Sequence, residues 1–277
     1  MTRQRTYPHG VTCWIDTEQP DPAAASRFYG GLFGWTLTEA MPPGVPGSYL
    51  IATLDGQDVA AIAPAAGDAA TWNTYVAVDD ADATADDVTA AGGTVVSPPE
   101  DAGSAGRAAT CVDPAGAEFR LWQAGGRPGA QLTNSPGSWN FSDLHTPDPA
   151  TATAFYTAVF GWVTADYGPD AGAMLQVPGY GDHLAATVDP GIHERQAMAP
   201  PGFADVIGGL GPVAAGEPAV WHVTFTVADR DESAARAEKL GAVVVASSED
   251  MWTRSARIRD PQGAELTLSQ FTPPEGW

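Results

Sequence analysis

Side chains able to do chemistry are sparse in this sequence, and most fall on strand-like segments. His222 lies in "VWHVTFT" (220–226) and Asp143 in "WNFSDLHT" (139–146). An imidazole, with an ordinary pKa of about 6.5, beside a carboxylate makes a pair suited to moving protons. Side chains alternate between the two faces of a strand, so His222 shares its face with Thr224, and Asp143 shares its face with Trp139 and Phe141. Thr267 and Ser269 come from a later strand. In the first half of the chain the same alternation groups Thr12, Trp14 and Asp16, then Asn73 and Tyr75, then Arg120 and Trp122. Aromatic walls with a few polar heads suit a planar or apolar small molecule fixed by hydrogen bonds. Tyr75 and Arg120 have the chemistry to hold an enolate or carboxylate. A plainer reading stands beside each: His222 as a hydrogen-bonded strand residue, Arg120 as the partner of an acid or of Trp122, and Trp14, Trp122, Trp139 and Phe141 as plugs of a filled cup. His183 and His193 have weaker claims, and His9 and His145 fall near strand ends.

The elements that would position these residues are written in repeats. "DPAAASRFYGGLFGW" (21–35) returns as "DPATATAFYTAVFGW" (148–162) at an offset of 127 residues. In each copy Asp followed by Pro is an N-cap with a first-turn proline, and a glycine (Gly34, Gly161) closes the helix. Ala25, Phe28, Tyr29 and Leu32 recur at i, i+3, i+4 and i+7, as do Ala152, Phe155, Tyr156 and Val159, one apolar face per helix. "TWNTYVAVDDADATADDVTAAGGTVV" (71–96) pairs with "VWHVTFTVADRDESAARAEKLGAVVV" (220–245): strand, amphipathic helix, glycine, Val-rich strand. "CVDPAGAEFRLWQ" (111–123) pairs with "IRDPQGAELTLSQ" (258–270), where Asp-Pro-x-Gly signals a type I turn inside a hairpin. The offset grows to 149 between the first and second matches, which places an insertion at 190–218, rich in Gly and Pro and suited to a lid or a partner contact. Trp35 with Trp162, and Trp72 with Trp221, occupy equivalent positions and read as core residues. The division expected is a first module at 1–124, a linker at 125–137 and a second module at 138–277, each module a repeated β-α-β-β-β and the whole an α+β protein.

Composition narrows the function classes. The 277 residues are 44% hydrophobic and 17% charged, with no apolar run long enough for a membrane helix. Thirteen basic against 34 acidic residues give a formal charge of -21, a field that repels phosphate backbones, so nucleic acid is not an expected partner. No apolar segment follows the two N-terminal arginines before Asp16, so a signal peptide is not expected and the cytoplasm is. Cys13 and Cys111 lack a thiol-rich spacing and read as small buried residues. Walker, nucleophile-elbow and Rossmann signatures are absent.

The repeated βαβββ unit, with "FYGGLFGW" after the first strand and "DPAGAEFRLWQ" at the last, resembles the vicinal oxygen chelate superfamily of glyoxalases, bleomycin resistance proteins and extradiol dioxygenases. It looks most like the actinobacterial tandem proteins labelled glyoxalase-like or "hydroxylase". The resemblance implies two tandem glyoxalase-like modules, each a pair of βαβββ units forming a curved, cup-like mixed sheet. Metal-binding members supply His, His and Glu from the first, fifth and eighth strands of a module. Here those positions fall on Trp14, Asn73 and Arg120, and on Phe141, His222 and Thr267. A guanidinium sits where a cation should, so no metal or other cofactor is expected. A rearranged divalent-metal site using Glu118, Glu265 or Asp143 is the disfavoured variant. Three readings follow: a metal-independent binder of a hydrophobic or aromatic small molecule; an enzyme of lyase, dioxygenase or isomerase type using His222 and Asp143; or an inactive interaction module. Monomer and homodimer are both open.

Overall fold

The computed structural model describes residues 4–168, 172–213 and 216–273. The first repeated phrase folds as its caps dictate. After β1 (Thr12–Gln19), α1 (Pro22–Phe33) starts where the Asp21 side chain accepts the Ala24 N–H, and it ends at Gly34 in a left-handed conformation with φ 78°. The chain continues through β2 (Thr36–Glu39), β3 (Leu50–Leu54), β4 (Gln57–Pro64), β5 (Thr71–Ala77), α2 (Ala81–Ala90), β6 (Thr94–Asp101), β7 (Gly106–Val112) and β8 (Glu118–Ala124). The second copy begins with β9 (Trp139–Thr146). It repeats the device with α3 (Pro149–Phe160), capped by Asp148 and closed by Gly161. Then come β10 (Val163–Asp166), β11 (Ala173–Gln176), α4 (Tyr180–Thr187), α5 (Ile192–Arg195) and a 3-10 turn at Phe203–Asp205. The last elements are β12 (Val206–Pro212), β13 (Val220–Thr226), α6 (Arg230–Lys239), β14 (Val243–Glu249), β15 (Thr253–Arg259) and β16 (Glu265–Phe271).

The strands form two curved, open sheets of eight. Their orders are β2-β3-β4-β1-β5-β8-β7-β6 and β10-β11-β12-β9-β13-β16-β15-β14, the same plan used twice. In each, two parallel pairs (β1 with β4 and β5 with β8; β9 with β12 and β13 with β16) alternate with antiparallel hairpins, giving the mixed α+β architecture. None of the helices among the described residues is long and apolar enough to cross a membrane.

Residue contacts divide the chain into two compact units, and each takes one βαβββ half from either sheet. One unit comprises residues 1–13, 74–129 and 142–221; the other comprises 14–73, 130–141 and 222–277. This division explains the repeated phrase. In the second unit α1 buries Phe28, Tyr29, Leu32 and Phe33, and Tyr29, Phe33, Trp35, Trp72 and Phe225 form one aromatic cluster with centroid separations from 4.7 to 6.2 Å. Each such side chain contributes about 1.5–3 kcal/mol on burial. The Tyr29 hydroxyl then donates to Asp260 Oδ2 at 2.7 Å, the aspartate that opens the Asp-Pro-x-Gly turn before β16. In the first unit Phe155, Tyr156, Phe160, Trp162 and Trp221 pack with Phe119, and the Tyr156 hydroxyl reaches Asp113 Oδ2 at 3.2 Å. Burial holds the Asp113 carboxyl above its ordinary range and pushes both tyrosines well above theirs. The Phe-Tyr of each helix is therefore a core plug tied to the turn of the other repeat.

The segment 190–218 differs from the expected loop. Its residues 206–212 are β12, paired antiparallel with β11 and parallel with β9, and the additional residues lie between β11 and β12, where they carry α4, α5 and the 3-10 turn. Ala214 and Ala215 of that segment lie outside the described residues. The sequence "VIGGLGP" does not read as a strand because glycine is depleted in strands; here it marks close backbone approach. A Cβ on Gly208 would lie 2.2 Å from the Ser142 carbonyl oxygen. Backbone cannot yield as a side-chain tip can, so Gly208→Ala is expected to cost about 2–3 kcal/mol in urea unfolding. At Gly209 the obstructing atom is Asp143 Oδ1, a movable carboxylate, and the same substitution there should cost clearly less.

Candidate functional site

In the second unit the inward face of β1 carries Trp14 and Asp16, both buried, with Asp16 1% exposed. Asn73, at the start of β5, donates its Nδ2–H to Asp16 Oδ1 at 2.8 Å. The other carboxylate oxygen, Oδ2, accepts the Tyr49 hydroxyl at 2.9 Å, and Tyr49 Oη accepts the Trp14 Nε1–H, also at 2.9 Å. A buried carboxylate must be hydrogen-bonded to be tolerated, and here both oxygens are engaged. Tyr49 was not among the sequence-based candidates. It ends the Pro- and Gly-rich segment "AMPPGVPGSY" (40–49) between β2 and β3, and only its isolation as an aromatic in that segment could have flagged it. The segment is tied to Glu39, whose Oε1 accepts the Met41 and Tyr49 N–H groups and whose Oε2 accepts the Ser48 hydroxyl at 2.6 Å. Those bonds, Ser48 first, push the Glu39 carboxyl down to about 2.

On the same unit's other half, His222 Nε2 lies 2.8 Å from Thr267 Oγ1, and the parallel register of β13 and β16 sets Thr224 opposite Thr267. Ser269 follows on β16, while Trp139 and Phe141 precede on β9. Trp139 is 3% exposed, and its Nε1–H finds no acceptor among the described residues.

In the first unit Arg120 is set opposite Tyr75 by the β5–β8 register. Its Nη1–H donates to the Tyr75 hydroxyl at 3.1 Å, and the guanidinium lies 5.6 Å from the centroid of that ring. Glu118 approaches Arg120 Nη2 at 3.7 Å. Trp122 meets Tyr75 edge-on at 6.3 Å and donates its Nε1–H to the Arg127 carbonyl. Asp143 accepts the Gly209 N–H at 2.6 Å, and Thr12 donates to the Ile207 carbonyl at 3.2 Å. His222 and Asp143 thus belong to different compact units.

The fit to a divalent metal is poor on donor chemistry. Trp14 presents an N–H rather than a lone pair, Arg120 a fixed positive charge, and Asn73 is spent on Asp16. The carboxylates of a rearranged site are engaged elsewhere: Glu118 with Arg120, Glu265 with Arg259 at 2.7 Å, and Asp143 with Gly209. Among the described residues, no cluster of three or more His, Cys, Asp or Glu could hold a metal ion. Cys13 and Cys111 are free and fully buried, and burial pushes the Cys111 thiol up to about 12, which removes it as a nucleophile at neutral pH.

Paired βαβββ units arranged as eight-stranded open cups define a class that both halves of the chain match. Residues 19–121 match the Glyoxalase/Bleomycin resistance protein/Dioxygenase superfamily, and residues 141–269 match the Glyoxalase-like domain. The chain belongs to the glyoxalase/bleomycin resistance protein/dioxygenase superfamily. It is 38% identical over 280 residues, 99% of each chain, to a Mycobacterium bovis protein named "Putative glyoxylase CFP32". It is 36% identical over 291 residues, 98% of this chain and 96% of the other, to the anthracycline biosynthesis protein DnrV of Streptomyces peucetius. Among solved structures, the 2,3-dioxygenase LapB of Pseudomonas sp. KL28 shares the fold with a TM-score of 0.61 at 14% identity, covering 97% of this chain and 96% of that one.

Proposed function

We propose that this protein binds a hydrophobic, aromatic small molecule, to sequester it or to present it for a tailoring reaction, without the metal triad of its superfamily. The observation that carries this reading is the Trp14–Tyr49–Asp16–Asn73 network, which stands where a ligand triad would begin. It sets an indole, its N–H donor and a buried carboxylate acceptor around the one hydroxyl, that of Tyr49, that pairs with both, groups that recognise an aromatic ring bearing polar substituents. Arg120 over Tyr75, with Trp122 at its edge, offers a second set of the same character. The buried Trp139 N–H supports a guest with an acceptor atom, since a desolvated donor left unmade costs about 1–3 kcal/mol. A relative named for anthracycline biosynthesis supports an aromatic ligand class. The cytoplasm suits two reduced, buried cysteines.

The reading is tested by thermal unfolding with a panel of fused-ring aromatic compounds. A ligand present at about 100 times its Kd adds about 2.7 kcal/mol, an upward shift of several degrees. No aromatic compound raising the midpoint would remove the proposal.

A further inference from the structure

Tyr49 reaches the Trp14–Asp16 pair from the end of the segment that joins β2 to β3. Its ring is carried by a segment whose residues Pro42 to Gly47 are all exposed, with Gly44 and Gly47 at φ of 86° and 105°. The segment is held by backbone hydrogen bonds from Ala40 N–H to the Tyr49 carbonyl and from Val45 N–H to the Pro42 carbonyl, and by the exposed Glu39 carboxylate. Water can replace every one of those contacts if the segment moves. Asp16, in contrast, is buried, and its other oxygen accepts from Asn73, a bond that does not involve the phenol.

The chemistry of the position is selective. Trp14 Nε1–H needs an acceptor, and Asp16 Oδ2 needs a donor, at 2.9 Å from one and the same oxygen. A hydroxyl supplies both roles; an ether or ketone supplies only the first, and a carboxylate guest is repelled by Asp16. The group now filling the position is itself a phenol.

We propose that the Tyr49 phenol is a built-in stand-in for the hydroxyl of a phenolic ligand. The segment 40–49 withdraws, and the guest hydroxyl accepts from Trp14 and donates to Asp16 in its place. This inference rests on the aromatic-ligand reading above and narrows it to aromatic compounds with a free hydroxyl. The apparent affinity is lowered by the fraction of time that Tyr49 occupies the position.

The test is calorimetric titration of wild type, Tyr49→Ala and Tyr49→Phe with 2-naphthol and with its methyl ether, 2-methoxynaphthalene, after circular dichroism has confirmed folding. Tyr49→Ala is expected to bind 2-naphthol about tenfold more tightly than wild type, as removal of a competitor that holds the position about nine-tenths of the time requires. Tyr49→Phe, which lacks the competing hydroxyl and perturbs the segment least, is expected to gain in the same direction. The methyl ether, unable to donate to Asp16, should bind more weakly than 2-naphthol in all three proteins. Unchanged or weaker 2-naphthol binding in both variants, or an ether bound as tightly as 2-naphthol, overturns the stand-in role while leaving the aromatic-ligand reading in place. Absence of binding of either compound to all three proteins overturns both.

Discussion

Asp260→Ala is expected to lower the free energy of unfolding by about 3–5 kcal/mol, read as a shift of the urea midpoint without a change in slope. The carboxylate is 5% exposed and serves two structures at once. Oδ1 accepts the N–H groups of Gln262, Gly263 and Ala264 at 2.8–2.9 Å, which closes the turn between β15 and β16. Oδ2 accepts the Tyr29 hydroxyl at 2.7 Å and the Gln19 Nε2–H at 2.8 Å, which ties that turn to α1 and β1. Truncation leaves buried donors on three elements, and each unsatisfied donor costs about 1–3 kcal/mol before any water enters. Asp113→Ala should cost less. Its Oδ1 accepts two backbone N–H groups, those of Ala115 and Ala117, and its bond from Tyr156 is longer, 3.2 Å. Burial also raises the Asp113 carboxyl, so the stability this group supplies is complete below the unfolded value of 3.8 and diminishes as pH rises through the higher folded value. A loss below about 1 kcal/mol for Asp260→Ala would mean that the aspartate merely favours a turn, as the Asp-Pro-x-Gly pattern alone suggests.

That pattern illustrates what could be read in advance and what could not. The helix boundaries of α1 and α3 were legible because their signals are local: an Asp cap, a first-turn proline, an apolar face of period 3.6 and a left-handed glycine. The eight strands of the first sheet were legible for the same reason, through alternation and turn residues. The partners of Tyr29 and Tyr156 were not, because the bond from Tyr29 to Asp260 spans 231 residues and no local signal encodes it. For the same reason the sequence repeat defines consecutive halves, 1–124 and 138–277, whereas the compact units combine halves of both. The strand β12 was hidden by glycines whose purpose is steric and visible only against Ser142 and Asp143. At the candidate site, period-2 alternation groups Trp14 with Asp16 along β1, and in the structure Asp16 is joined to Asn73 of β5. Tyr49 escaped because a residue at the end of a Pro- and Gly-rich loop has no periodicity to place it, although it closes the network.

The second large expected effect concerns Asp16. Asp16→Asn is expected to weaken binding of a phenolic ligand by about tenfold and Asp16→Ala by about a hundredfold, while the stability of Asp16→Asn stays within about 1 kcal/mol of wild type. Recognition and structural support are separable at this residue. A hydrogen bond from a phenol to a carboxylate is charge-assisted and worth about 1.5–3 kcal/mol; the same bond to an amide oxygen is worth about 0.5–1.5. The difference is the tenfold. With alanine the hydroxyl proton has no acceptor at all, and a donor desolvated without a partner adds its own penalty. Folding is affected differently, because an amide occupies the volume of the carboxylate and a flip of the Asn73 amide restores that hydrogen bond. Removing a buried charge also relieves its desolvation, the usual reason that recognition residues are not placed for stability. Titration calorimetry and urea unfolding on the same preparations decide the matter. A large stability loss with unchanged affinity would make Asp16 a structural carboxylate that fastens Tyr49 and Asn73 to the sheet, and the network would then be part of the core rather than a receptor.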